Sequence, residues 1–421
     1  MNGVVLFLMS CDLSIIIVNF NGQKYLEKLF DSLQCLLHEN FSFDIIFVDN
    51  NSDDNSIQFI KEKYAGSLPL RLIENKANMG FARANNLGAM RSKSDYLVFL
   101  NNDTWVEPGW LMNLYGCIRD TGAGIVNSKL VFFYDFLPII INTTVGVRLS
   151  DTVTINGNPC KIDLKFCKNI VHKDGSLICN NGSRIYLPLI DGATDYKITF
   201  YLESACNGRI SIWIGTEMFS FPGESNIDLS ARLDSKTIEA NTLRLLQNAG
   251  SAINDNYDGY DVGFCETDCG QYDQTREIDS ACGAAMIIKR KDFLEAGMFD
   301  ERFFMYYEDT DLSYRIKRQG KSLLYCPRAV VRHFHAGSSI EWSPHFIYYV
   351  FRNKLLFVAK HFSASVFLHQ FLKHCCRSVW YIFFSSNDTA SKVAVLKSLL
   401  SVVGLAPLYL LKKKGLCPRS H

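Results

Sequence analysis

The first 130 residues alternate between strand-like and helix-like segments, and this alternation is the feature that most constrains the fold. The strand-like segments are continuous apolar or β-branched runs, and the segments between them have helical spacing of apolar residues. Because such alternation buries a strand on both faces, it predicts a parallel α/β sheet flanked by helices. The predicted strands are residues 13–20, 43–51, 70–75 and 95–103.

Polar side chains gather where these predicted strands end. Asn19 and Asn21 lie at the end of the first strand, and residues 49–54 (DNNSDD) lie at the end of the second. Ligands of open α/β sheets bind beyond the carboxyl ends of the strands. The second cluster is therefore a candidate to hold a base edge and a ribose, and it consists of Asp49, Asn50, Asn51, Ser52, Asp53 and Asp54. The alternative is an Asx-turn followed by a helix N-cap, which favours the same residue types.

The fourth strand, YLVFL, stops on Asn101, Asn102 and Asp103. A carboxylate at the tip of a buried strand is well placed to bind a hard cation such as Mg²⁺ or Mn²⁺, which would bridge it to a diphosphate. The alternative is a turn with a capping aspartate, since Pro108 and Gly109 mark a turn nearby. One carboxylate cannot hold a cation alone, so further ligands are needed.

Two more candidate groups lie late in the chain. Glu308 and Asp309 begin a predicted helix, where the positive helix end would keep a carboxylate ionised and ready to accept a proton. Asp311 in the same turn is explained by the helix dipole alone. His333 and His335 end a strand at alternate positions and so point to one face, where one of them could be a further metal ligand.

The pattern of apolar residues and turn signals divides the chain into four parts. Residues 1–135 alternate strand and helix, whereas helical periodicity is absent from residues 136–236, where short β-type runs are separated by NG and DG turn signals. The latter part predicts an inserted antiparallel, sandwich-like module. The alternation of strand and helix resumes in residues 237–340. Residues 341–421 predict amphipathic helices with scattered basic residues.

Composition excludes several classes of protein. The net charge of +1 provides no field that favours nucleic acid, and no GxGxxG or GxxxxGK[ST] motif is present. The 14 cysteines form no CxxC pair and fit a reducing cytosol. The apolar N-terminus lacks a basic n-region, so we interpret it as mature protein. Residues 393–414 predict an interfacial or buried helix rather than a spanning one, because they contain an internal lysine, a glycine and a proline.

Taken in order, these motifs resemble those of glycosyltransferase family 2, of the kind called rhamnosyltransferase-like. The matching stretches cover most of residues 13–130 and 243–357. They include SIIIVNFNGQKYLEKLFDSL, IIFVDNNSDDNS, NKANMGFARANNLGAMRSKSDYLVFLNNDT, the segment from IDSACGAAM to FHAGSS, and FRNKLLF. The resemblance implies a GT-A (Rossmann-like) mixed sheet flanked by helices, with an inserted β-rich module and a C-terminal helical tail as additions in this chain.

The resemblance also implies roles for individual residues. It places Asn19 and Asn21 beside the nucleotide, Asp49 on N3 of a uracil or thymine, and Asp53 near the ribose. The segment NND occupies the slot of the family's DxD motif, so that Asn101 and Asn102 lie at the nucleotide sugar and Asp103 is the chief ligand of Mn²⁺ or Mg²⁺. Asn78, Gly80 and Asn85 would lie beside the sugar.

For catalysis, the resemblance implies that Asp309 is the general base, with Glu308 as the next candidate. His333 is the nearer match to a family histidine that meets the metal or diphosphate, and His335 is the second. The implied reaction transfers a sugar from dTDP-rhamnose or a UDP-sugar to a hydroxyl of a glycan or lipid-linked acceptor, with inversion. The expected setting is cytoplasmic, with peripheral contact at the inner face of the cytoplasmic membrane and a role in surface polysaccharide synthesis.

Three alternatives compete with this hypothesis. A sugar nucleotidyltransferase should carry a glycine-rich basic loop after the first strand, and NFNGQKYLEK contains one glycine. A processive synthase should carry a QxxRW motif, which is absent. A non-catalytic glycan-binding protein on a transferase scaffold remains open, although Asp49, Asp103 and Asp309 are all present. The sequence predicts no nucleic-acid partner and leaves the oligomeric state open.

Overall fold

The computed structural model describes residues 11–38, 41–189, 196–334, 342–385 and 387–413. The chain forms two compact units. One unit consists of residues 1–130, 248–262 and 272–421, and the other of residues 131–247 and 263–271. The β-rich unit thus contains the predicted module 136–236 and adds a few residues on either side of it, together with a second short segment.

The first unit begins with the predicted alternation. Its elements up to residue 132 are β1 (Leu13–Asn19), α1 (Gln23–Gln34), β2 (Phe43–Asp49), α2 (Ser56–Lys63), β3 (Leu70–Glu74), α3 (Gly80–Arg91), β4 (Tyr96–Leu100), β5 (Thr104–Val106), α4 (Trp110–Thr121) and β6 (Ile125–Phe132). The four predicted strands are therefore confirmed, and each ends one to three residues earlier than predicted.

The β-rich unit and the segment that follows it contain the next elements. They are β7 (Phe136–Thr143), β8 (Val147–Ser150), β9 (Thr152–Ile155), β10 (Asn158–Lys161), β11 (Cys167–Lys173), β12 (Ser176–Pro188), β13 (Tyr196–Ile214), β14 (Glu217–Leu233), α5 (Ser235–Asn241) and β15 (Leu246–Asn248). Strands β7 to β14 form one antiparallel sheet, and its core consists of strand residues apart from a few such as Ile238. The sheet therefore folds back on itself to enclose its own apolar face.

The remaining elements return to the first unit. They are β16 (Ser251–Ile253), β17 (Gly259–Asp261), β18 (Arg276–Glu277), β19 (Ala285–Lys289), α6 (Arg290–Glu295), α7 (Glu308–Arg318), β20 (Leu323–His333), α8 (Pro344–His361), α9 (Ala364–Phe384) and α10 (Thr389–Lys413). The expected mixed α/β architecture, the β-rich module and the C-terminal helices are confirmed.

The main sheet has the strand order β18-β20-β6-β19-β4-β1-β2-β3. Strands β4, β1, β2 and β3 run parallel, whereas β19 runs antiparallel to β4. Ile15 and Ile17 of β1 pack into one core and Ile16 into the other, so both faces of the strand are covered. This double burial explains the unbroken apolar run in the sequence, and it leaves only the strand ends available to a ligand.

Candidate active site

The ends of β1, β2 and β4 are joined by a short hydrogen-bonded chain of side chains. Asn19 pairs with Asp49 in the register of β1 and β2, and its amide donates to Asp49 Oδ1 at 3.0 Å. Asn102, just after β4, donates to Asn19 Oδ1 at 2.8 Å. All three side chains are buried. Buried polar groups need hydrogen-bond partners, and these three side chains serve as partners for one another. This edge of the sheet is therefore rigid before any ligand binds.

Asp49 organises the loop that follows β2. Its Oδ1 accepts from the Ser52 hydroxyl at 2.6 Å and its Oδ2 from the Ser52 backbone N–H at 2.9 Å. The Asn21 side chain accepts from Asp53 N at 2.8 Å, and Asn21 and Asn51 both have positive φ. The Asx-turn alternative therefore describes part of this loop correctly. Because each carboxylate oxygen has two lone pairs, Asp49 Oδ2 still has room for one further donor.

Asn50, a member of the polar cluster at the end of β2, connects this strand to the start of α3. Its amide donates to Asn78 Oδ1 at 2.8 Å, while its Oδ1 accepts from Met79 N at 3.0 Å. Asn78 in turn accepts from Gly80 N at 2.9 Å. Asn50 is 2 % exposed, so this hydrogen-bond network is buried and fixes the backbone at the beginning of α3.

A cavity of about 410 Å³ opens at this edge of the sheet. Four predicted site residues line it, namely Asn78, Gly80, Asn101 and Asn102. Its other lining residues are Val18, Phe20, Asn50, Phe81, Phe304, Met305, Ser343 and His345. The mixture of aromatic walls and convergent amides is typical of a small-molecule site.

Asn85 is the predicted sugar-binding residue that this cavity does not include. It is 1 % exposed, and its amide donates to Phe81 O one turn earlier in α3 at 3.0 Å. Because four residues make about one turn, Asn85 lies on the same side of α3 as Phe81 and one turn further along the helix. The place of Asn85 beside the sugar stays a prediction.

Asp103 and His333 meet in space although 230 positions separate them. His333 Nε2 lies 3.1 Å from Asp103 Oδ1 and 3.5 Å from Asn101 Nδ2. Strand β5 pairs with β20 in a register that sets His333 opposite Thr104, which brings the histidine to the tip of β4. His335, the other predicted metal ligand, lies outside the described residues.

The donor set suits a divalent cation. Asn101 Oδ1 is buried without a hydrogen-bond partner beside the Asp103–His333 pair. A carboxylate, an imidazole nitrogen and an amide oxygen are ligands that Mn²⁺ accepts readily, whereas Mg²⁺ prefers oxygen alone. The described residues contain no group of three or more His, Cys, Asp or Glu side chains that could form a cage. The residues present therefore fit a cation held partly by its substrate.

Asp309 lies at the start of α7 and is held by two backbone donors. Its Oδ2 accepts from Gly283 N at 2.8 Å and its Oδ1 from Thr310 N at 2.6 Å. A side chain on Gly283 would contact both Asp309 and Phe81, which puts the carboxylate beside the cavity wall. Burial raises the pKa of Asp309, and these hydrogen bonds oppose that rise in part.

Glu308 and Asp311 differ from Asp309 in environment. Burial raises the pKa of Glu308 well above its ordinary value, with the charge of Asp309 adding to the effect, and its Oε2 is buried without a partner. Burial would also raise the pKa of Asp311, but hydrogen bonding from His361 and the charges of Lys360 and Arg315 outweigh it and hold the pKa low. Asp311 is thus an internal structural carboxylate, bound to Arg315 at 2.7 Å and His361 at 2.7 Å.

The structure also brings Asp261 to this site, which the sequence analysis did not predict. Its Oδ1 accepts from Asn248 at 2.5 Å and from Ser251 at 3.0 Å. Burial raises the pKa of Asp261, and the charge of Asp309 raises it further. Asp261 ends a strand of three residues, which is too short to show periodicity, so no local pattern could have indicated its place near Asp309.

Comparison with known proteins supports the resemblance seen in the sequence. Residues 14–144 match the model of glycosyl transferase family 2. The resemblance to this family is confirmed. An uncharacterised glycosyltransferase of Haemophilus influenzae is 34 % identical over 96 residues, which are 23 % of this chain and 31 % of that protein. The N-acetylglucosaminyl-diphospho-decaprenol L-rhamnosyltransferase of Mycobacterium tuberculosis is 39 % identical over 64 residues, which are 15 % of this chain and 21 % of that protein.

These alignments span a third or less of the length of the two curated relatives. Among solved structures, GalNAc-T7 with UDP, GalNAc and Mn²⁺ aligns with a TM-score of 0.48 at 13 % identity, over 97 % of this chain and 59 % of that one.

Proposed function

We propose that this protein transfers a sugar from a nucleoside-diphosphate sugar to a hydroxyl group of an acceptor, with inversion at the anomeric carbon. The observation that carries the proposal is the convergence of three strand ends and a buried carboxylate on one cavity. Asn101 lies on the cavity, Asp103 and His333 lie beside it, and Asp309 lies close to Phe81, which lines it.

The nucleotide would bind over the ends of β1 and β2. Asp49 Oδ2 retains acceptor capacity for the N3–H of a uracil or thymine, and the rigid Asn19–Asp49–Ser52 network holds it in place. Phe20, which is 36 % exposed and lines the cavity, offers an apolar face to the donor. A pyrimidine donor is therefore favoured, and we propose dTDP-rhamnose or a UDP-sugar.

Asp103, His333 and Asn101 would hold Mn²⁺ or Mg²⁺, and a bound cation would supply charge stabilisation for the leaving diphosphate. Asp309 would accept the proton of the attacking hydroxyl, because its raised pKa brings it nearer to the working pH. Glu308 is a poorer base since burial keeps its carboxyl protonated to higher pH. Phe81 and Phe304 would exclude water from the cavity wall.

Calorimetric titration with UDP, dTDP and GDP, each with Mn²⁺ and with EDTA, tests the donor site. Wild-type protein should bind UDP or dTDP in a metal-dependent manner, and Asp103→Ala should lose that binding. Asp120→Ala, which removes an exposed aspartate of α4, is the matched control and should bind as wild type does. If folded protein binds no nucleotide, the glycan-binding alternative replaces the transferase proposal.

We propose a lipid-linked or surface glycan as the acceptor and the membrane surface as the place of reaction. Helix α10 buries one row of residues, including Val395, Val402 and Tyr409, and exposes an apolar row on another side: Val393, Leu396, Leu400, Val403 and Leu411. Helix α9 exposes a similar row: Leu368, Leu372, Val379, Trp380, Phe383 and Phe384. Such a surface is the kind that marks membrane or protein contact.

Charge supports a lipid partner for these two helices. Neither α9 nor α10 contains an acidic residue, and both contain lysine or arginine. By length and composition α10 could also span a membrane, with a third of its apolar window buried inside the structure. Because α10 packs along α8, we propose that it lies in the plane of the interface at the inner face of the cytoplasmic membrane.

Flotation with liposomes that contain anionic lipid tests this contact. Wild-type protein should float, and the double variant Leu400→Ser/Val403→Ser should remain at the bottom of the gradient. The control Met90→Ser/Met112→Ser removes two exposed methionines elsewhere and should float. The membrane proposal is wrong if the two double variants float equally well, or if the wild-type protein does not float.

For the β-rich unit we propose contact with the acceptor glycan. Strand register places Met218, Trp213, Ile140, Arg184 and Lys168 in one row across five strands. Trp213 is 37 % exposed on this row, and an aromatic face beside two cations suits a sugar that carries negative charge. Trp213→Ala should raise the acceptor KM and leave nucleotide affinity unchanged, whereas Tyr201→Ala on the same strand should alter neither.

A further inference from the structure

The segment before α7 has an unusual backbone. Three of its residues, Phe304, Tyr306 and Tyr307, have φ values of 67°, 66° and 70°. Left-handed conformations are costly for bulky side chains and persist only where the surroundings impose them. Tyr307 immediately precedes Glu308 and Asp309, so the backbone of this turn sets the direction in which α7 begins.

Two adjacent side chains of α8 bind the carbonyl groups of this turn. Asn353 Nδ2 lies within hydrogen-bond distance of Phe303 O (2.9 Å), Met305 O (2.7 Å) and Tyr306 O (2.8 Å), so its two hydrogens are shared among three carbonyl oxygens. Arg352 Nη2 donates to Arg302 O at 2.6 Å and to Phe303 O at 2.8 Å. Asn353 and Arg352 together thus bind four carbonyl groups within residues 302–306.

The two side chains also hold each other. Arg352 Nε donates to Asn353 Oδ1 at 2.8 Å, which orients the amide so that its NH₂ group faces the turn. Asn353 is completely buried and Arg352 is 6 % exposed. The guanidinium lies 4.8 Å from the ring centre of Tyr349, and this ring stacks on Phe304 at 5.0 Å. The Asn353 amide cannot rotate, and the Arg352 guanidinium is shielded from water. Both groups therefore make strong directional hydrogen bonds.

The turn has a functional group at each end. Phe304 and Met305 line the cavity, and the Phe304 carbonyl accepts from Ala82 N at the start of α3. Asp309 follows three residues after Tyr306 and is received by Gly283 N. A change in the turn would therefore move the wall of the cavity and the carboxylate together.

We infer that Asn353 and Arg352 are positioning residues that hold the turn 302–307 and thereby set the place of Asp309 against the cavity. The inference rests on the proposed function, since it gives the turn a role in transfer. It assigns a task to the segment FRNKLLF, for which the sequence pattern had suggested a family resemblance and no role.

Amide hydrogen exchange followed by mass spectrometry tests the inference without any assay of activity. Asn353→Ala and Asn353→Asp should increase exchange of the peptide that covers residues 301–309 by about tenfold, with little change elsewhere. Asp has nearly the volume of Asn but presents an acceptor to the carbonyl groups of the turn, so Asn353→Asp should raise exchange at least as much as Asn353→Ala, whereas a role in packing alone predicts that it raises exchange less. Asn113→Ala, which loses an amide bound to Gly109 O and Arg328 O, is the matched control and should leave this peptide unchanged.

Turnover gives the second readout. With dTDP-rhamnose and UDP-N-acetylglucosamine as probes, release of nucleoside diphosphate by both Asn353 variants should fall about 10²-fold in kcat, since small misplacements of a reacting group cost that much. The affinity for dTDP or UDP should change less than about threefold, because Asn19 and Asp49 lie on other elements. Arg352→Lys, which keeps a charged donor, should be intermediate.

The outcomes separate the two proposals. If wild-type protein neither binds nor cleaves these donors, the proposed function fails, and hydrogen exchange alone decides whether Asn353 holds the turn. If exchange in residues 301–309 is unchanged, or if kcat of Asn353→Asp stays within about threefold of Asn113→Ala, the inference is overturned. Should Asn353→Ala fail to fold, Arg352→Lys carries the same comparison.

Discussion

Gly80 offers a quantitative test of how tightly the cavity wall is packed. It has a φ of 80°, and a Cβ at this position would lie 2.4, 2.6 and 2.8 Å from three ring atoms of Phe304. Ordinary carbon contacts are about 3.5–4 Å, so the ring would have to move by roughly 1 Å. Tyr349 is stacked on Phe304 and restricts that movement.

The cost of Gly80→Ala has two parts. A left-handed alanine costs about 1–2 kcal/mol, and the lower entropy of the unfolded chain returns about 0.4–1 kcal/mol. Overpacking against a ring that cannot move freely adds about 1–3 kcal/mol. We therefore expect a loss of about 2–4 kcal/mol in the free energy of unfolding.

Gly122→Ala is the matched control for this prediction. Gly122 has a φ of 66° and nothing within 4 Å of the added Cβ, so it reports the backbone cost alone, about 0.5–1 kcal/mol. Urea denaturation followed by tryptophan fluorescence measures both, and the fully buried Trp110 reports on the first unit. If the two variants differ by less than about 0.5 kcal/mol, the packing of Phe304 on α3 is looser than the structure indicates.

Three further predictions concern the carboxylates and the histidine. Asp309→Asn should lower kcat by about 10²–10⁴-fold yet raise the melting temperature at neutral pH. The reason is that folding raises the pKa of the Asp309 carboxyl, and such a group costs stability once the pH exceeds its pKa in the unfolded chain. A variant with a lower melting temperature would contradict this. The pKa of Asp311 is lowered on folding, so its contribution is complete above about pH 3.9 and is lost as pH falls below that value. Asp311→Asn should therefore be less stable at neutral pH and show a flatter acid denaturation profile, and an unchanged profile would argue against the His361 and Lys360 contacts. His333→Ala should weaken Mn²⁺-dependent binding of UDP and leave binding in EDTA unchanged, and calorimetry that finds both equally weakened would exclude a metal role.

The sequence by itself determined the sheet and the location of the site along the chain. Strands buried on both faces require continuous apolar runs, and these are local signals that residues 13–17 and 96–100 display without ambiguity. The ends of such strands are where polar side chains serve a ligand, so Asn19, Asp49 and Asp103 could be singled out. The β-rich segment was also recognisable, because turn residues and period-two patterns are local as well.

Only the tertiary structure decided which polar groups act together. Asp103 and His333 lie 230 positions apart and meet because β5 pairs with β20. Adjacent residues Glu308 and Asp309 look alike in sequence, yet packing leaves one without a partner for its Oε2 and gives the other two backbone donors. Asn353 lies in an ordinary helical segment, and its importance comes from the distant carbonyl groups it binds. Periodicity records which face of an element is buried, whereas hydrogen-bond partners and pKa depend on the segments that pack around each side chain.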